Sequence, residues 1–327
     1  MRADEVEVAF ASGGGRVFGT LRRAAGEGLR PAAILAHGFG SFRDELTGFV
    51  ELAEKLAAAE IASLRLDMRG CGKSGVRGVM HPMFDWVEDV RNAASFLETA
   101  PGIAADRIGV VGMSMGGGVA CIAAALDDRL KAVVALAPVA DGEAWFRHLW
   151  TTARDELGWR GFLDEIAEDR RRRALGGRSR VVNVLDAMAY QPEDRRAFLA
   201  MARTYPAFLK RMALSAVDSA MLVRAVPLVP LIAPRPLLII HSRADGSVPV
   251  AQAEALAAAA PPPARLIVLD DSPHCFWISD QSDRVQRETV DWLREHLVES
   301  DLTAPQARGA RPSLSATGGG GERFRGQ

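Results

Sequence analysis

The chain has 327 residues, 48% of them hydrophobic, and its 40 Lys and Arg against 41 Asp and Glu leave a formal net charge of -1. That apolar content can fill a substantial core, which excludes a disordered or fibrous chain. The charge balance offers no field that would gather nucleic acid or an anionic membrane surface.

Three cysteines, Cys71, Cys121 and Cys275, are too few and too scattered for a disulfide framework or a metal-ligand spacing. A reducing compartment is the simpler inference, with no metal and no cofactor. The N-terminal stretch carries early acids where a secretory signal would carry an apolar core, and no run of about 18 apolar residues stands anywhere. A cytoplasmic protein with no membrane span is therefore expected.

In chain order, "VEVAF" and "RVFGTLRR" read as two strands joined at the glycine turn "ASGGG". "PAAILAHGFG" reads as a buried strand ending on His37 and two glycines. Apolar residues at helical spacing follow from Leu46 to Ala59, then the strand "IASLRLD", the loop "DMRGCGKSG" and a helix from Phe84 to Thr99. The order repeats with "RIGVVGMS", the helix "MGGGVACIAAAL" and the strand "LKAVVALAP". Strands alternating with helices predict a mostly parallel α/β sheet, and Ser114 falls at the C-terminal end of a central strand, where such sheets bind ligands.

From residue 141 to 233 the rhythm breaks into helix-like segments rich in Arg, Met and Trp with no strand pattern, which reads as a helical insertion. "RPLLIIHSRAD" and "ARLIVLDDSPH" restore strands, and "DRVQRETVDWLREHL" closes the body as an amphipathic helix. The expected organisation is thus a body of residues 1–140 and 234–298 interrupted by the insertion. The tail, 299–327, is rich in Gly, Ser, Pro and Arg and is expected to be disordered.

The stretch "GMSMG" places Ser114 between Gly112 and Gly116, with a strand before it and a helix after it, as a strained nucleophile turn requires. Serine attacks at neutral pH only when a base takes its proton and a further group orients that base. Among six histidines, His274 in "DDSPHCF" stands just after the final strand, from which an imidazole reaches back over the sheet edge. His296 reads as a solvated helix-end residue, His241 as buried structure, and His81 and His148 as loop and insertion residues. The carboxylate falls to Asp245 in "HSRADGSVP", with Asp270, Asp271 and Asp141 as weaker candidates. The Phe39 amide in "HGFG" and the Met115 amide at the start of the following helix are the oxyanion donors.

Together, "HGFG", "DMRGCGKSG", "GMSMG", "HSRADGSVP" and "SPHCF" resemble the α/β-hydrolase superfamily, over residues 5–140 and 234–298. "HGFGSFRDE" and "PHCF" are similar to its feruloyl-esterase-like and dienelactone-hydrolase-like branch. The resemblance implies Ser114 as nucleophile, His274 as base and Asp245 as acid, with Phe39 and Met115 amides in the oxyanion hole. It also implies that residues 141–233 cap the site and that "DMRGCGKSG" braces the loop beside the elbow.

The implied partner is a small ester-like molecule with an apolar portion. His37, Trp145, Met188 and Met212 are the candidate substrate contacts, and the run "DRRRRALGGRSR" reads as an exposed charged helix face ahead of its alternative, recognition of an anionic substrate portion such as a phosphate or carboxylate. The leading activity is hydrolysis of a carboxylic ester, thioester or lactone. The same machinery also serves an acyltransferase, a peptidase, a carbon–carbon hydrolase or a cofactor-free perhydrolase, which differ in cap shape and water access. A non-catalytic binding protein would have no chemical reason to keep the serine, histidine and aspartate together.

Overall fold

In the computed structural model, which describes residues 4–24, 26, 28–75, 84–208 and 210–299, the turn at Gly13 and Gly14 folds β1 (Glu5–Ser12) back on β2 (Gly15–Arg22) as an antiparallel hairpin. Both glycines take positive φ, 51° and 76°, which explains the residue type there. Next in the chain come β3 (Arg30–Ala36), α1 (Gly48–Ala58), β4 (Ala62–Asp67), α2 (Phe84–Thr99), β5 (Ile103–Met113), α3 (Met115–Leu126) and β6 (Leu130–Leu136).

The insertion then contributes α4 (Gly142–Ala153), α5 (Glu156–Ala174), β7 (Val181–Asn183), α6 (Val184–Ala187), α7 (Pro192–Thr204), β8 (Arg211–Ala213) and α8 (Leu214–Ala220). The body resumes with β9 (Leu237–Ser242), α9 (Ala251–Ala259), β10 (Ala264–Leu269) and α10 (Ser282–Leu297). The eight-stranded sheet has the order β1-β2-β4-β3-β5-β6-β9-β10 and is parallel from β4 to β10, with β1 and β2 antiparallel at one edge.

The inner strands read as nearly unbroken apolar runs because both their faces are covered. In β3, Ala32, Ile34 and Ala36 join the core shared with α2 and α3, while Ala33 and Leu35 join the opposite core with Phe49 and Leu52 of α1. In α10, Val285, Trp292, Leu293 and Leu297 form the stripe that packs into this second core. Gly109 lets α10 approach closely, since a Cβ there would lie 3.0 Å from Leu297 and 3.1 Å from Leu293.

The insertion departs from the helical expectation in one respect. β7 and β8 pair antiparallel as a separate ribbon, Val181 to Ala213 through Asn183 to Arg211. Strands of three residues hold too little alternation to be read from sequence, and 27 residues stand between them. The arginine run closes on the insertion itself, Arg170 and Arg173 pairing with Asp218, and Asp169 accepting from Arg173 and from the Arg180 amide. The insertion's two ends lie side by side, with Gly142 N–H donating to Val223 O at 3.0 Å and Ala225 N–H to Ala140 O at 2.8 Å. His81 and the expected disordered tail from residue 300 onward lie outside the described residues. Among the described residues no helix is long and apolar enough to cross a membrane.

A Cβ at Gly142 would sit 1.9 Å from Ala220 O, whereas one at Gly161, inside α5, would meet nothing within 4 Å. Gly142→Ala is therefore expected to cost about 2 kcal/mol. Gly161→Ala, an unobstructed helix-interior glycine, is expected to gain up to ~1 kcal/mol. Urea unfolding midpoints check both; midpoints that match the parent in the two variants would contradict this account of the insertion.

Candidate active site

The end of β5 is built around missing side chains. A Cβ at Gly112 would lie 2.1 Å from Gly116 O, one at Gly116 would lie 2.3 Å from Ala36 O, and one at Gly118 would lie 2.0 Å from Val139 O. These are backbone atoms that cannot swing away, so only glycine lets α3 start this close to β3 and β6. The turn forces Ser114 to φ 56°, ψ -121°, a conformation that costs a non-glycine residue on the order of 1–3 kcal/mol. Hydrogen bonds hold it there: Ser114 N–H donates to Leu136 O at 2.7 Å, and Ser114 O accepts from Val139 N–H at 3.0 Å and Gly117 N–H at 2.9 Å.

His274 stands after β10 with Nε2 3.0 Å from Ser114 Oγ and Nδ1 2.7 Å from Asp245 Oδ2. Asp245 follows β9, and its Oδ1 accepts from the amides of Ser247 (2.9 Å) and Val248 (2.8 Å). Burial works to raise the Asp245 pKa, but the His274 charge and hydrogen bond, with these neighbours, hold it below the ordinary carboxylate value. An ionised Asp245 accepts from Nδ1–H, which leaves Nε2 as the acceptor for the serine hydroxyl.

Phe39 N–H is oriented through its own peptide. Gly38 O, on the other side of that peptide plane, accepts from His37 Nδ1 at 2.8 Å and from Ser41 N–H at 3.2 Å, while His37 Nε2 accepts from Met68 N–H at 3.1 Å. His37 is thus fully buried between the Gly38 turn and the loop after β4, and burial pushes its pKa down to about 4, so it stays neutral. The Met115 N–H, first in α3, has no acceptor within its helix. The "DMRGCGKSG" loop is tied in turn, Asp67 accepting from Arg43 and from Lys73 N–H, and Asp89 from Arg69.

A cavity of about 140 Å³ opens over Ser114 and His274. Its wall includes Phe39, Glu45, Leu46, Trp145, Tyr190, Phe198, Met201, Phe208, Cys275 and Ile278. Of the four candidate contacts, Trp145 lines the cavity. The other three are corrected: His37, Met188 and Met212 are fully buried away from it. Sequence periodicity could not show which methionine faces inward, because the helices and turns here are short and their orientation is set by tertiary packing.

The remaining candidates stand elsewhere. Asp141 caps α4, accepting from Ala144 N–H at 2.9 Å, and pairs with Arg224. Asp270 and Asp271 are exposed, His241 is buried in β9, and His148 and His296 are half-buried outside the cavity. Glu45, which the motif reading passed over, is buried beside Ser114, its Oε2 accepting from Gly38 N–H at 2.8 Å. Its signal in the sequence was a carboxylate seven residues past Gly38, inside the "HGFGSFRDE" stretch.

A mostly parallel sheet, a strained serine at the β5–α3 turn and a histidine–aspartate pair from the loops after β10 and β9 define an α/β hydrolase. The chain belongs to the family described as serine aminopeptidase, S33, which matches residues 29–281. Thiohydrolase aneE of Aspergillus aculeatus is 33% identical over 125 residues, 37% of each chain. The quorum-quenching protein AidA of Acinetobacter baumannii is 33% identical over 141 residues, 42% of this chain and 45% of AidA. The matches span less than half the length of these curated relatives. The α/β hydrolase GrgF from Penicillium sp. sh18 shares the fold with a TM-score of 0.75 at 21% identity, over 90% of this chain and 99% of that one.

Gly116→Ala must push α3 off the Ala36 and His37 carbonyls, 2.3 and 2.4 Å from the new carbon. The expected outcome is a loss of about 2 kcal/mol or more in stability. Chemical unfolding measures it, and an unchanged stability would show that the elbow has slack the geometry does not display.

Proposed function

We propose that this protein is a serine hydrolase cleaving a compact carboxylic ester, thioester or lactone through an acyl-enzyme. The observation that carries the reading is the unbroken relay from Ser114 Oγ through His274 to Asp245, at 3.0 and 2.7 Å. His274 takes the serine proton as Oγ attacks the carbonyl, and Asp245 holds the imidazole in the required tautomer and stabilises its charge. The oxyanion rests on the Phe39 and Met115 amides. His274 then protonates the leaving alcohol or thiol, and water, activated by the same imidazole, releases the acid.

The insertion, residues 141–233, acts as the cap, supplying Trp145, Tyr190, Phe198, Met201 and Phe208 to the cavity wall. The cavity is close in size to an engineered one of about 150 Å³ that holds benzene, which favours a short or single-ring acyl group. The thiohydrolase among the relatives supports a thioester as one substrate class.

Incubation with a fluorophosphonate is expected to place one adduct on Ser114, located by mass spectrometry. In a nitrophenyl ester and thioester series, turnover should peak at short acyl chains. Ser114→Ala should lower kcat by roughly 10⁴-fold or more. Full activity in Ser114→Ala, or labelling at another residue, overturns the reading.

A further inference from the structure

We propose that Glu45 is a positioning residue of this site that works in its protonated form. Its carboxyl holds the turn that presents the Phe39 N–H, and its proton keeps negative charge away from the oxyanion. This rests on the hydrolase reading of Ser114 and extends it to a group outside the nucleophile–base–acid relay.

The backbone places Glu45 at a cost. Glu45, Leu46 and Thr47 take φ of 41°, 57° and 86°, three consecutive non-glycine residues in the left-handed region. Side chains are disfavoured there, and such strain persists only where the surroundings over-determine it. The turn is tied from several sides: Glu45 N–H donates to Phe42 O, Thr47 N–H to Asp44 O, and the Tyr205 hydroxyl to Leu46 O at 3.1 Å. The result is a carboxyl turned inward, 6% exposed, with Oε2 on the Gly38 amide and the side chain in the cavity wall. A Cβ built on Gly38 would lie 3.3 Å from Ser114 Cβ and 3.6 Å from Glu45 Oε1, so both groups flank one peptide.

An anion there would oppose the charge that forms on the substrate oxygen. Burial raises the Glu45 pKa to about 7, against which the Gly38 amide, Ser41 and the His274 charge pull down. The Ser41 hydroxyl, also buried, adjoins the same carboxyl, and as a hydroxyl it can face the carboxyl in either protonation state. The other titratable groups facing Glu45 are Cys275, beside His274 in the loop after β10, and Cys71, in the loop after β4. Burial raises both thiols, so they stay neutral. On its own turn, Arg43 is engaged by Asp67, and Asp44 by Arg65.

The experiment compares wild type with Glu45→Gln, which keeps an oxygen for the Gly38 amide, and Glu45→Ala, which does not. Wild-type kcat/KM is expected to rise as the base loses its proton and then to fall about tenfold toward pH 9, as an adjacent charge would cause. Glu45→Gln should rise to a plateau without the fall, and Glu45→Ala should be about 10²-fold slower throughout. Stability gives a readout independent of turnover. Between the ordinary value of 4.5 and about 7 the unfolded chain ionises Glu45 while the folded one keeps its proton. Wild type therefore loses stability as pH rises through that window, and the Tm of Glu45→Gln should gain on wild type between pH 5 and 8.

Should Glu45→Gln not fold, carboxyl ¹³C shifts of glutamate-labelled wild type must still show one group titrating near neutrality. Superimposable pH profiles in wild type and Glu45→Gln with normal labelling of Ser114, or no such carboxyl, overturn this proposal alone. Absence of Ser114 labelling in wild type overturns the hydrolase reading and this proposal together.

Discussion

Backbone meets backbone at the end of β5, with carbonyl oxygens 2.0 to 2.4 Å from where Cβ atoms of Gly112, Gly116 and Gly118 would stand. Because α3 starts in that space, Ser114 must turn through a left-handed conformation with its hydroxyl outward, in reach of His274. The same closeness brings the Gly38 turn alongside the serine, since Gly116 abuts the carbonyls of Ala36 and His37. The elbow, the amide-bearing turn and the cavity floor are thus one packing solution, held by hydrogen bonds that offset the strain.

Within that frame the site separates two buried carboxyls. Asp245 accepts from two backbone amides and from His274, which together outweigh burial and keep it ionised. Glu45 receives one amide, and burial prevails. The contrast follows from the number of donors each oxygen pair meets, the usual way one site holds an acid and an anion of the same chemical type.

Much of this was legible in the sequence. Nearly unbroken apolar runs at β3, β5 and β6, with segments of helical spacing between them, prescribed a mostly parallel sheet, and glycine pairs marked the two tight turns. Ser114, Asp245 and His274 were legible because each stands at a strand end, where direction is dictated by topology. Glu45 was not, because its inward turn depends on three positive-φ residues that carry no glycine to announce them. Nor was the cavity wall, since Met201 and Met188 look alike in composition and only tertiary packing decides which meets the cavity. His37 looked like a contact because it precedes the turn, yet both of its ring nitrogens are spent inside the protein.

The junction where Ala140 and Gly142 meet Val223 and Ala225 has a bearing on how such a molecule diversifies. Two chain ends fixed side by side make whatever runs between them nearly exchangeable, since the entropy of closing a loop grows only with the logarithm of its length. Selection can lengthen, shorten or rewrite that segment while the sheet and the elbow are left intact. The part of the cavity wall that this segment supplies is then rewritten at one seam, without reopening the core.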